Sequence, residues 1–180
     1  MTDQRSSSKH SADFEPLQNW LAPGETREQN QGLIIGGNPT TGPYALVYFS
    51  AAKTQPLAIF SDRDDAVATV SLINSLTTSP ASSRIGGAHV REAETSQAPG
   101  VQYLGFTLTT NEENKPVPDT TKPVARMWVL PHRQMEAIAL MEVDGPNGHR
   151  ALCRFLDDEA ANLFVSTMDA IFASISDRVA

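Results

Sequence analysis

Three histidines stand beside arginines: His89 lies two residues before Arg91, His132 adjoins Arg133, and His149 adjoins Arg150. Six arginines, Arg84, Arg91, Arg126, Arg133, Arg150 and Arg154, fall between residues 84 and 154. Guanidinium and imidazolium groups hold carboxylates and phosphates through charge-assisted, often bidentate hydrogen bonds. Arg126, His132, Arg150 and Arg154 are therefore the candidates for a small anion-binding site on a sheet face. Strict alternation places Arg150 and Arg154 on one face with Leu152, and Arg126 on the same face as Trp128. The plainer expectation is a solvated face whose arginines pair across strands with Glu92, Glu94, Glu136 and Glu142.

Nucleophile and metal chemistry has less to stand on. Cys153 is the single cysteine, which leaves no intrachain disulfide and no multi-cysteine zinc site. His149 shares its strand parity but lies four residues away, about 13 Å by strand rise, too far for proton transfer. Between Leu152 and Arg154, Cys153 reads as a buried structural thiol. His132 with Glu136, and Glu142 with Asp144, are the remaining acid–base pairs, and neither spacing forces the side chains together. The chain carries no HExxH, CxxC, GxSxG or EF-hand spacing. The glycine-rich residues 34–43, IIGGNPTTGP, lead into a strand instead of a helix, so no helix N-terminus waits for a phosphate there. No catalytic residue, metal or cofactor is assigned, and nothing in the residues demands an enzyme.

The elements that would position these side chains come from periodicity. Residues 1–13 are polar and expected to be a disordered tail. Phe14, Leu17, Trp20 and Leu21 then fall at i, i+3, i+6 and i+7, which predicts a two-turn helix over 14–22. A helix so short must dock, either on the chain's own core or on a partner protein. Residues 25–31 read as linker, and a single domain is expected from 32 to 180. Within it the runs YALVYFS and LAIF make a hairpin, and a helix from Ser61 or Asp62 to about Thr78 follows. Strands at 85–91, 101–109 and 124–130 come next, then a hairpin of 135–143 and 150–156 about the turn DGPNGH. A final helix starts at the acidic residues 157–159 and carries Phe164, Met168, Ile171, Phe172 and Ile175 as an apolar stripe. The three-proline stretch 111–123 reads as a long loop and a candidate contact segment.

Together these predict an α+β domain: an antiparallel sheet of about six to eight strands packed by two main helices. The order hairpin, acidic start, helix occurs twice and suggests a pseudo-repeated ββα arrangement. The element order resembles that of small protein-interaction folds such as type III secretion chaperones and roadblock or longin-like adaptors. That likeness is one of fold alone and does not establish function.

The 180 residues carry 14 Lys+Arg against 21 Asp+Glu, a net charge of −7. Gripping a nucleic-acid backbone requires clustered positive charge, so no nucleic-acid partner is expected. No apolar run reaches the roughly 18 residues of a membrane span, and the N-terminus lacks the apolar stretch of a secretory signal. The expectation is a cytoplasmic protein-interaction module that binds another protein or pairs as a homodimer. Phe14, Leu17, Trp20 and Leu21 are its candidate partner-binding residues.

Overall fold

A computed structural model describes residues 14–24, 26, 29–79, 81–85, 100–121, 123–132, 137–145 and 148–179. Eleven strands and two helices are present among them: β1 (Glu15–Ala22), β2 (Gln31–Gly37), β3 (Tyr44–Ser50), β4 (Thr54–Ile59), α1 (Arg63–Thr78), β5 (Ala81–Ile85), β6 (Val101–Phe106), β7 (Leu108–Thr110), β8 (Pro116–Pro118), β9 (Ala125–His132), β10 (Ala137–Gly145), β11 (Gly148–Phe155) and α2 (Asp158–Val179). Nine strands form one antiparallel sheet in the order β1-β2-β3-β4-β11-β10-β9-β6-β5, and β7 pairs only with β8. This is the expected α+β class. The tail at residues 1–13 lies outside the described residues.

The helix predicted over 14–22 is instead strand β1. Its register against β2 shifts between Pro16 and Gln18, leaving Leu17 as the extra residue of a bulge. A bulge inverts parity, so Leu17 and Trp20 turn toward the same side although three residues separate them. Helical spacing and a bulged strand therefore look alike in the sequence. Pairing with β2 decides between them, because a two-turn helix has no comparable source of stability.

A repeated ββα unit is not supported. A hairpin does precede each helix, but α1 has 16 residues and α2 has 22, and the strands outside the two hairpins are arranged differently. Acidic helix starts after hairpins are a local rule met twice. The predicted long loop also differs: its first half turns back as the small β7–β8 hairpin, with Thr109 opposite Val117. Asn111 organises that turn, its side-chain oxygen accepting from Glu113 N at 3.0 Å and Lys115 N at 2.9 Å, and Asn114 adopts a positive φ of 62°. The strand expected over 85–91 begins earlier, at Ala81, and its residues 86–91 lie outside the described residues.

Both helices start where acidic caps predict. Asp62 accepts from Asp65 N at 2.8 Å and Asp157 from Ala160 N at 2.7 Å. They cover one face of the sheet and bury Leu33, Ile35, Leu46, Leu57, Ile73, Leu76, Tyr103, Met127, Leu140, Phe155 and Phe164 between the layers. Phe155 packs on Phe164 at 5.3 Å, and Tyr103 meets Phe172 edge-on at 5.3 Å. The two halves of the sheet meet at a short seam, where only Arg154–Ile59 and Phe155–Ala58 pair, extended by Leu156 N to Leu57 O at 2.9 Å. The helices cross it: α1 follows β4 but packs chiefly on β6, β9 and β11, while α2 follows β11 and packs chiefly on β1, β2 and β4. Helix packing thus holds together a seam that its own ladder bonds hold weakly.

Candidate functional site

The candidate anion-binding residues do not converge. In the β10–β11 ladder Leu140 pairs with Cys153 but Met141 pairs with Ala151, so Leu152 is an extra residue. That bulge reverses the alternation on which Arg150 and Arg154 would share a face. Arg150 turns to the helix side. Its Nη1 donates to Asp65 Oδ1 at 2.9 Å in the first turn of α1, and its Nε donates to Glu142 Oε2 at 3.1 Å on β10. Burial pushes the Asp65 carboxyl above its ordinary pKa, aided by the neighbouring Asp62 charge, and the Arg150 charge opposes this. Two carboxylates already occupy the guanidinium.

Arg154 is exposed on the opposite face, between Ile59 of β4 and Ala139 of β10. Arg126 is half-buried on that same outer face, opposite Leu104. Leu130 shares the Ala139 row with Arg154, so Arg126 stands four residues down β9, about 13 Å along the strand and two strands across. The expected sharing of a face by Arg126 and Trp128 fits their two-residue spacing. His132 closes β9 opposite Ala137. His89, Arg91, Glu92, Glu94, Arg133 and Glu136 lie outside the described residues. His149 is exposed and stacks on Trp128, rings 6.3 Å apart at 19°. Among the described residues no three His, Cys, Asp or Glu side chains are grouped to hold a metal ion. Cys153 is buried, and burial drives its thiol pKa far above the ordinary value, so it stays protonated.

The apolar island at the N-terminus divides between two faces. Trp20 is buried against the helices and donates from Nε1 to Asn74 Oδ1 of α1 at 2.9 Å, while Leu17 packs at the core margin. Phe14 and Leu21 are 48% and 47% exposed and point outward. They join an outer surface built by β2, β3 and β4. Cross-strand rows place Leu21, Gly32, Phe49 and Thr54 side by side, then Asn19, Ile34, Val47 and Pro56, then Gly36, Ala45 and Ile59.

Two aromatic rings press on glycines of this face. A Cβ at Gly36 would meet Phe14 Cζ at 2.6 Å, and one at Gly32 would meet Phe49 Cζ at 2.6 Å. Only glycine leaves room for such contact. Between the two rings runs a groove of about 480 Å³, floored by Ile34 and Val47 and closed by Asn19 and Thr54. Every outward residue of these rows is uncharged; Arg154 borders the face beyond Ile59. The sequence signal for it was present. LII in β2 and YALVYF in β3 are apolar at consecutive positions, where a strand solvated on one side alternates.

Comparison with protein-family models, curated proteins and solved structures finds no match to this chain. Function is therefore read from the geometry alone. No helix among the described residues is long and apolar enough to cross a membrane.

Proposed function

We propose that this chain is a non-enzymatic protein-interaction module that buries the outer face of β1–β4 against a protein partner. The observation that carries the reading is the groove between Phe14 and Phe49. Monomers rarely leave a contiguous apolar patch of this kind bare, and here strand after strand contributes an outward apolar side chain. Phe14 and Leu21 of the N-terminal island belong to the contact, and Leu17 and Trp20 serve it by fixing β1 to the core. Sheet faces of this type pack on a second apolar layer about 10 Å away.

The test is the native size of the full chain in an extract of cells that make it. Wild type is expected to elute larger than one 19.5 kDa chain. Val47→Lys, which puts a charge in the groove floor, is expected to return it to the size of one chain. Leu108→Asp, at an exposed site on β7 away from the face, leaves the size unchanged. Wild type eluting as one chain here, and also remaining one chain when purified and concentrated, would overturn the reading.

A further inference from the structure

We infer that the occupant of the β1–β4 outer face is a second copy of this chain, packed face to face about a two-fold axis. The inference rests on the interaction reading above and names its partner.

Charge comes first. The chain carries a net −7, yet the outward rows from Leu21 to Thr54, from Asn19 to Pro56 and from Gly36 to Ile59 hold no ionised group. Glu15, the one acid within β1–β4, turns to the other side, where it accepts from Tyr44 Oη and pairs with Arg63, and Asp62, Asp64 and Asp65 stand at the start of α1. Two copies can therefore meet across this face without burying an unpaired charge or setting like charges opposite, the cost that would otherwise forbid self-pairing of so acidic a chain. A charged partner would find no ionised group within these rows, only Arg154 at their border beyond Ile59.

Shape is the second argument. The Phe14 ring on Gly36 and the Phe49 ring on Gly32 form two ridges with the Ile34–Val47 groove between them. A two-fold axis lying in the interface and offset toward one ridge seats that ridge of each copy in the groove of the other. This is the self-complementarity that an isologous contact requires. The chain's own N-terminal residues lead into Phe14 at the groove rim. They read MTDQRSSSKHSAD and offer no apolar run to fill the groove.

Area sets the strength. Four strands about 4.8 Å apart, with about 3.3 Å per residue along the seven-residue β3, cover roughly 440 Å² of sheet before side-chain relief is counted. Standard interfaces bury about 800 Å² per partner. The dimer is accordingly at the weak end of its class and dissociates on dilution.

Sedimentation equilibrium of the purified full chain over a wide concentration range tests this. The expected result is a mass rising from 19.5 kDa to twice that value, with dissociation in the micromolar range, about 10⁻⁶ M. Phe49→Asp and Val47→Lys are expected to weaken association at least about tenfold, with unchanged circular dichroism showing that each folds. Ile59→Arg, at the margin of the face, is a second probe if either core-adjacent variant unfolds. Wild type remaining at one chain's mass up to about 100 µM would overturn the inference. Such a monomer that nevertheless elutes large in cell extract, and shrinks with Val47→Lys, would leave the interaction reading standing with a different partner. A monomer in both settings removes both.

Discussion

The guanidinium of Arg150, on β11, lies 2.9 Å from the carboxylate of Asp65 in the first turn of α1. The same guanidinium reaches Glu142 on β10 at 3.1 Å. One cation thus ties the helix start to two neighbouring strands, and each carboxylate depends on it for neutralisation. Arg150→Met is expected to destabilise the fold by about 1–3 kcal/mol, since it leaves two half-buried carboxylates facing each other. Urea denaturation at neutral pH measures this; a loss below the error of the measurement would show that solvent already screens the group.

Asp65 carries a pH dependence with a definite sign. Its folded-state pKa is raised, first by burial and then by Asp62, so its contribution to stability is fully present below the ordinary carboxylate pKa. That contribution is lost as pH rises through the raised value. Asp65→Asn keeps an acceptor for Arg150 and does not ionise. The stability of the variant relative to wild type is expected to improve as pH is raised from about 3 to about 7. Denaturation curves across that range check the trend, and a variant that loses ground with rising pH would refute it.

Trp20 binds β1 to α1 through its hydrogen bond to Asn74, 2.9 Å long and joining residues 54 apart in sequence. Asn74→Ala leaves a buried indole N–H unsatisfied and is expected to cost about 1–2 kcal/mol. For a domain of this size that is a fall in melting temperature of roughly 2–8 °C. Hydrogen exchange should quicken in β1 and β2 more than in β9 and β10, which distinguishes loss of this tie from general weakening.

Cys153 is expected to resist alkylation in the native protein at pH 8 and to react at once in denaturant. Burial both shields the thiol and raises its pKa. The labelling rate in native buffer therefore reports opening of the sheet near β11. Rapid native labelling would mean that the β4–β11 seam opens far more often than its covering helices allow.

Local chemistry made much of the fold readable in advance. Asp62 and Asp157 announce the helix starts, Ser79-Pro80 announces the end of α1, and DGPNGH announces the β10–β11 hairpin; each rule acts within a few residues. The candidate site was far less readable. The bulges at Leu17 and Leu152 change which face a side chain takes, and a bulge is chosen by the partner strand rather than by the strand's own residues. Leu17 therefore passed for part of a helix. Arg150 and Arg154 passed for neighbours on one face although they lie on opposite sides of the sheet.

What the sequence determined by itself was composition and local punctuation: an acidic chain, an α+β element order, two capped helices, and apolar runs in β2 and β3 too continuous for a strand solvated on one side. Tertiary structure alone decided where those properties go. Cross-strand registers align Ile34 of β2 with Val47 of β3 and set Phe49 one row away on the same uncharged face, beside Phe14 just before β1, and crossing helices claim the other face for the core. Register depends on pairing between residues far apart in the chain, and no local pattern encodes that pairing.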